Sequence, residues 1–75
     1  MQATYSKENI LSASFNGQLG DVIDFVRQGQ SVMRRDRSGA TPLHLAAMSG
    51  HLEICRLLVS KKADINSTDY AGNTP

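Results

Sequence analysis

The sequence contains few of the residues that would point to a specific chemistry. It has no tryptophan, two tyrosines and two phenylalanines, which leaves little material for stacking on nucleic-acid bases. Its only cysteine, Cys55, cannot form a disulfide within the chain, and this favours a reducing intracellular compartment. The net charge of +1 provides no strong field to attract nucleic acid or an anionic membrane surface.

Long apolar runs and a secretion signal are also missing. No stretch approaches the roughly 20 apolar residues of a transmembrane helix, and residues 1–15 lack the charged-then-apolar order of a signal peptide. We therefore expect no membrane segment and a cytoplasmic or nuclear location. The 75 residues, of which 40% are hydrophobic, suit one small globular domain.

The chain repeats itself with a period of about 33 residues, the spacing between Thr41 and Thr74. At that shift identical residues coincide in eight pairs: Ala13–Ala46, Gly17–Gly50, Leu19–Leu52, Val26–Val59, Asp36–Asp69, Gly39–Gly72, Thr41–Thr74 and Pro42–Pro75. The period predicts a degenerate first unit over 3–35, a complete unit over 36–68, and the opening of a third over 69–75 that stops inside its motif.

Local signals predict two short helices in the complete unit. Thr41 is a suitable N-cap before Pro42, which needs no amide donor at the first helical position, and Gly50 ends this helix. A second helix is predicted from about Leu52 to Ser60, with an apolar face formed by Leu52, Cys55, Leu58 and Val59. Turn-forming residues separate the units. Helices this short need stacked neighbours, so the pattern predicts an all-α solenoid.

The motif Thr41-Pro42-Leu43-His44-Leu45-Ala46 resembles the signature of the ankyrin repeat family, and the resemblance continues through the rest of the unit. It implies an ankyrin-repeat α-solenoid of helix–turn–helix repeats joined by β-turn or hairpin loops. In the first unit, Glu8-Asn9-Ile10-Leu11 replaces the motif. We therefore expect the tight helix start to be missing there, as in a capping repeat with a polar outer face.

Thr41, His44 and His51 lie within eleven residues and could suggest a metal site or acid–base chemistry. His44 stands three residues after the N-cap, where its imidazole can link backbone groups. Gly50 separates His51 from that helix, and a zinc site needs three or four ligands. We interpret His44 as architectural and His51 as a loop residue, and expect no metal and no cofactor. Cys55 is expected to be a buried, unreactive thiol.

The family resemblance implies binding to a protein partner, as a scaffold or adaptor, without catalysis and without a small-molecule substrate. The positions that partners usually contact are the turn tips and the outward residues of the first helices. In this sequence they are Arg37, Ser38, Ala40, Met48, Ser49, Tyr70, Ala71 and Asn73. Because so few repeats bury little surface, self-association is a further possibility.

Two alternatives remain open from the sequence. The chain could be the N-terminal regulatory or targeting segment of a larger enzyme, such as a kinase or an acyltransferase. The arginine-rich stretch 33–37 could instead contact an acidic protein or nucleic acid, although Asp36 within it makes nucleic acid the least favoured partner.

A separate expectation concerns Lys62, which occupies the position of Gly29 in the first unit and should be left-handed.

Overall fold

The computed structural model describes residues 9–75, and these form four helices with no strand among them. The helices are α1 (Ile10–Asn16), α2 (Leu19–Arg27), α3 (Pro42–Met48) and α4 (Leu52–Ser60). The predicted all-α architecture of paired helices is confirmed. Within the described range, no helix has the length and apolar character needed to cross a membrane.

The two units match closely, with one difference at the first helix. A shift of one repeat period carries α2 onto α4, residue for residue, while α1 begins one position later than α3 would require. The expectation that α1 lacks a tight start is wrong. The Asn9 side chain accepts hydrogen bonds from the amides of Leu11 (2.8 Å) and Ser12 (3.0 Å). The Ser12 hydroxyl lies 3.0 Å from the Asn9 amide, which completes a capping box.

The helix α3 starts and stops as the sequence predicts. Thr41 is its N-cap and Pro42 its first residue. The chain then passes through Gly50, whose φ of 77° is left-handed, a conformation that glycine adopts without strain. The expectation that Lys62 is left-handed is confirmed, because Lys62 has a φ of 71° and Gly29, its equivalent, has a φ of 93°.

The core lies between the four helices and is made of small and branched apolar side chains: Ile10, Ala13, Val22, Leu43, Ala46, Ile54, Leu58 and Ala63. The predicted apolar face of α4 is partly wrong. Ile54 and Leu58 are buried, whereas Leu52 and Val59 are 67% and 46% exposed. Leu52 lies about 200° around the helix from Ile54, so the two cannot face the same neighbours.

Cys55 is only half-buried, on the edge of the core. Burial nevertheless raises the pKa of its thiol above the ordinary value, which keeps the less nucleophilic protonated form at neutral pH. The expected unreactive thiol is therefore consistent with its surroundings, although its burial is less complete than the sequence pattern indicated.

Candidate partner-binding surface

The turn before α3 is organised by one carboxylate. Oδ1 of Asp36 accepts hydrogen bonds from the amide of Ser38 (2.8 Å), the hydroxyl of Ser38 (2.7 Å) and the amide of Ala40 (3.0 Å). The Asp36 amide in turn donates to the Ala40 carbonyl at 2.9 Å. Aspartate favours turns because its short side chain can satisfy nearby backbone amides in this way. The exposed tip is thus held in one conformation.

The same turn recurs one repeat period later. Oδ1 of Asp69 accepts from the amides of Ala71 and Asn73, both at 2.9 Å, and the Asp69 amide donates to the Asn73 carbonyl at 2.9 Å. The bond from the Asn73 amide is the main reason why the pKa of the Asp69 carboxyl lies below its usual range. The charged form of Asp69 is therefore the one that the turn stabilises.

The two turns are joined to each other. The amide of Tyr70 donates to the carbonyl of Ser38 at 2.9 Å. The Tyr70 ring packs on Gly39, where an added Cβ would lie 2.6 Å from ring atom Cδ1. Nη1 of Arg35 donates to the carbonyls of Gly39 (2.8 Å) and Thr68 (2.7 Å). Arg35 and the backbone of Tyr70 thus fix the spacing between the tips.

His44 fixes the second turn to α3. The buried Nδ1 accepts from the Thr41 amide at 3.2 Å, so the proton lies on Nε2, which donates to the Asn73 carbonyl at 2.8 Å. The His44 amide donates to the Thr41 hydroxyl at 3.3 Å, which closes the capping box. The expected architectural arrangement is present, with a link to the next unit that the sequence did not specify.

His51 has a structural contact that sequence reasoning missed. It directly precedes α4, and its Nε2 donates to the Phe15 carbonyl in the first unit at 3.1 Å. Its ring packs on Gly17, where an added Cβ would lie 2.6 Å from Cε1. The alignment of Gly17 with Gly50 reflects their shared left-handed φ angles, so it gave no signal for this contact. In the described part of the chain, no three His, Cys, Asp or Glu side chains are grouped to hold a metal.

Most of the predicted contact residues are exposed, and one is not. Arg37 and Ser38 lie on the first turn, and Tyr70, Ala71 and Asn73 lie on the second, all exposed. Met48, at the end of α3, is exposed, and Ser49, which follows it, is partly exposed. Ala40 is 2% exposed because it packs with Leu11 and Leu45. Ala40 stays a predicted contact position, but its side chain is enclosed within this chain.

The structure brings some of these residues together. Ser38 and Tyr70 meet through the hydrogen bond between the turns. Met48 and Asn73 both line a shallow open hollow whose other lining residues are His44, Ala47, Asp69, Thr74 and Pro75. We call the accessible set Arg37, Ser38, Met48, Ser49, Tyr70, Ala71 and Asn73 the candidate partner-binding surface.

Comparison with known proteins agrees with this architecture. The family model for the ankyrin repeat matches residues 38–70. An ankyrin repeat-containing protein of Schizosaccharomyces pombe is 36% identical over 89% of this chain and 32% of its own length. Human protein phosphatase 1 regulatory subunit 27 is 38% identical over 84% of this chain and 41% of its own length. A rice protein named "Probable E3 ubiquitin-protein ligase XBOS33" is 35% identical over 92% of this chain.

The chain spans about a third to two fifths of the first two relatives and 14% of the rice protein. The matches therefore cover only part of those proteins. Together with the paired helices, the capping box at Thr41 and the repeat period, they identify the fold. The chain belongs to the ankyrin repeat family.

Proposed function

We propose that this chain binds a protein partner through the partner-binding surface, as a scaffold or adaptor module. Ankyrin repeats are protein-interaction modules, and one relative is named as a regulatory subunit. The observation that carries the proposal is the exposure of Met48 (70%) and Tyr70 (74%). Tyrosine and methionine are enriched at protein interfaces relative to the rest of the surface, and here they stand beside polar turn residues.

The turns provide a rigid support for these side chains. Asp36 and Asp69 each satisfy several amides of their own turn, and Arg35 and Tyr70 connect the turns. A surface that is ordered before binding loses less conformational entropy when a partner arrives. Tyrosine and arginine are also the residues that most often dominate an interface. We therefore expect Tyr70 and Arg37 to contribute most of the affinity.

Binding is a better proposal than catalysis for these residues. The two imidazoles are the side chains best suited to acid–base chemistry near neutral pH. Both are instead used in hydrogen bonds to backbone carbonyls, His44 to Asn73 and His51 to Phe15. Each bond stabilises the contact between units, which gives both histidines a structural role.

Site-specific photo-crosslinking can test the proposal. A photoreactive amino acid is placed at Met48, at Tyr70 or at the control position Arg56, which is exposed on α4. We expect the same protein to be crosslinked from positions 48 and 70 and not from position 56. Equal crosslinking from all three positions would show that the partner does not bind preferentially at this surface.

Affinity measurements with that crosslinked protein complete the test. Tyr70→Ala and Met48→Ala should each weaken binding by about tenfold or more, while Arg56→Ala should leave it unchanged. All three variants should retain nearly the melting temperature of the parent chain, since Tyr70→Ala keeps the backbone bond to Ser38. Unchanged affinity in both surface variants would contradict the assignment.

A second candidate function is the regulation of an enzyme. In a first form the catalytic domain lies in the same polypeptide as this chain, and in a second form it is a separate protein. The specific observations are the match to the rice ligase, of which this chain covers 14%, and the match to a phosphatase regulatory subunit. The full coding sequence distinguishes the first form, since a catalytic domain in the same reading frame would establish it. Binding to purified protein phosphatase 1 catalytic subunit tests the second, and the absence of binding would reject it.

A further inference from the structure

Ser38 differs from the other serines and threonines of this chain in its sequence context. Arginines stand four, three and one residues before it, at Arg34, Arg35 and Arg37. No other serine or threonine has more than one arginine in the four preceding residues. Its side chain is exposed at the tip of the first turn. The only strongly basic stretch of the chain therefore leads directly to an accessible hydroxyl.

The repeat shows that the Ser38 hydroxyl is not needed for the turn. Ala71 occupies the equivalent position in the second turn. There, Asp69 still accepts hydrogen bonds from the amides of Ala71 and Asn73 at 2.9 Å. The two turns have matching backbone hydrogen bonds with and without a hydroxyl. The architecture therefore leaves the Ser38 hydroxyl available for another use.

We propose that Ser38 is a phosphorylation site for a protein kinase whose substrate groove carries carboxylates. Such a groove selects arginine because the guanidinium group pairs with a carboxylate through two parallel hydrogen bonds. Arg34 and Arg37 are exposed and can make these pairs directly. Arg35 must first leave the carbonyls of Gly39 and Thr68, so the kinase acts on a loop that opens locally.

The reaction is an ordinary phosphoryl transfer from ATP. The Ser38 oxygen forms a bond to the γ-phosphorus, the bond between that phosphorus and the bridging oxygen breaks, and ADP leaves. The hydroxyl proton passes to the catalytic carboxylate of the kinase. No other reactant is required.

The phosphate opens the first turn. In the unmodified chain the Ser38 hydroxyl donates to Oδ1 of Asp36 at 2.7 Å, and the same oxygen accepts from two amides of the turn. A phosphate group removes that donor and brings a charge of about −1.5 to −2 beside the carboxylate. The carboxylate contacts this group directly, while Arg35 is held by the carbonyls of Gly39 and Thr68. We therefore expect the repulsion to outweigh the attraction of the flanking arginines, so that the two groups separate and the Ser38 carbonyl releases the Tyr70 amide. Any effect on partner binding rests on the proposed function, whereas the modification and the opening do not.

Incubation with the catalytic domain of an arginine-directed kinase and ATP, followed by mass spectrometry, tests the modification. We expect one phosphate per chain at Ser38, none in Ser38→Ala, and unchanged incorporation in Ser31→Ala. Arg34→Ala and Arg37→Ala should each slow the reaction about tenfold. Phosphate at another residue, or none on the folded chain, would overturn the proposal.

Amide hydrogen exchange by NMR tests the structural consequence, and the second turn is its internal control. Phosphorylation should remove protection at the amides of Ser38, Ala40 and Tyr70, and leave Ala71 and Asn73 as they are. Ser38→Ala should keep all five amides protected. Retained protection at Tyr70 in the phosphorylated chain would show that the turn stays closed, and would reject the opening. Because neither readout uses a partner, both are independent of the partner-binding surface.

Discussion

The first and second units share a left-handed glycine at equivalent positions but differ in what covers it. Gly17 and its equivalent in the next unit, Gly50, have φ angles of 78° and 77°. The His51 ring packs tightly on Gly17, whereas no side chain of the described residues lies within 4 Å of the Cβ position of Gly50. The sequence of each unit therefore sets the conformation, and the next unit along the chain decides whether that conformation is enclosed.

The side chains of α1 and α3 show the same contrast. Ser14 is fully buried, while its equivalent Ala47 is exposed; Phe15 is half-buried, while Met48 is 70% exposed. In a solenoid each unit contacts only its neighbours, so a position can be core in one unit and surface in the next.

Replacing each of the two equivalent glycines by alanine should give the largest difference in unfolding free energy between the units. Gly50→Ala places a side chain in a left-handed conformation, which costs about 1 to 2 kcal/mol. Gly17→Ala has the same cost and also drives the His51 ring away, so we expect about 2 to 4 kcal/mol in total. Urea denaturation of both variants measures the difference. Equal losses would mean that the His51 ring moves aside without cost.

Removing the N-cap side chain should destabilise α1 and α3 by similar amounts, although the capping residues differ. Thr41→Ala and Asn9→Ala each remove an N-cap acceptor and should cost about 0.5 to 2 kcal/mol. His44→Ala should cost a comparable amount, because it leaves the buried amide of Thr41 without its acceptor. Zinc and chelators should have no effect on any of these variants. If Asn9→Ala leaves the unfolding free energy unchanged, the cap on α1 does not contribute to stability.

The sequence predicts what depends on local chemistry. Local residues predict the start of α3 at Thr41 and Pro42, its end before Gly50, the left-handed Lys62 and the limits of α4. The prediction for the start of α1 was wrong because comparison with the ankyrin motif looked for Thr-Pro. Asn9 performs the same capping chemistry with a different side chain.

The sequence does not predict what depends on the neighbouring unit. The links from Arg35 to Thr68 and from His51 to Phe15 join residues more than thirty positions apart. The burial of Ala40 arises from its packing with Leu11 and Leu45. Periodicity places such residues in a unit, but only the stacking of two units shows which of their side chains remain accessible.

Ser14→Ala tests the burial difference between α1 and α3. The Ser14 hydroxyl is fully buried and has no hydrogen-bond partner among the described residues. Removing it should stabilise the fold by about 1 kcal/mol, since an unsatisfied buried polar group is destabilising. The reverse change at the equivalent exposed position, Ala47→Ser, should have almost no effect. A loss of stability in Ser14→Ala would show that the hydroxyl is satisfied in solution.

Lys62→Gly tests whether the two units need the same residue after their second helix. Lys62 and Gly29 are both left-handed, and the lysine side chain is exposed. Glycine should stabilise the fold by about 0.5 to 1 kcal/mol, because it adopts this conformation without strain. Gly29→Lys should destabilise by a similar amount. Thermal melts of the pair give both values, and a loss in Lys62→Gly would mean that the lysine makes a stabilising contact.

The smallest effect concerns the charge of Asp69 in the second turn. Its pKa is lowered in the folded protein, chiefly by the bond from the Asn73 amide. The stabilisation is therefore present above the unfolded pKa of about 3.9 and is lost as the pH falls through the lower folded value. Asp69→Asn keeps an oxygen acceptor but cannot ionise, so it should flatten the pH dependence of unfolding in acid while leaving the turn amides protected. The change should be small and should shrink in salt, because the carboxyl is accessible to water. If the free energy of unfolding falls with pH in the same way in parent and variant, Asp69 has the same pKa in the folded and unfolded chains.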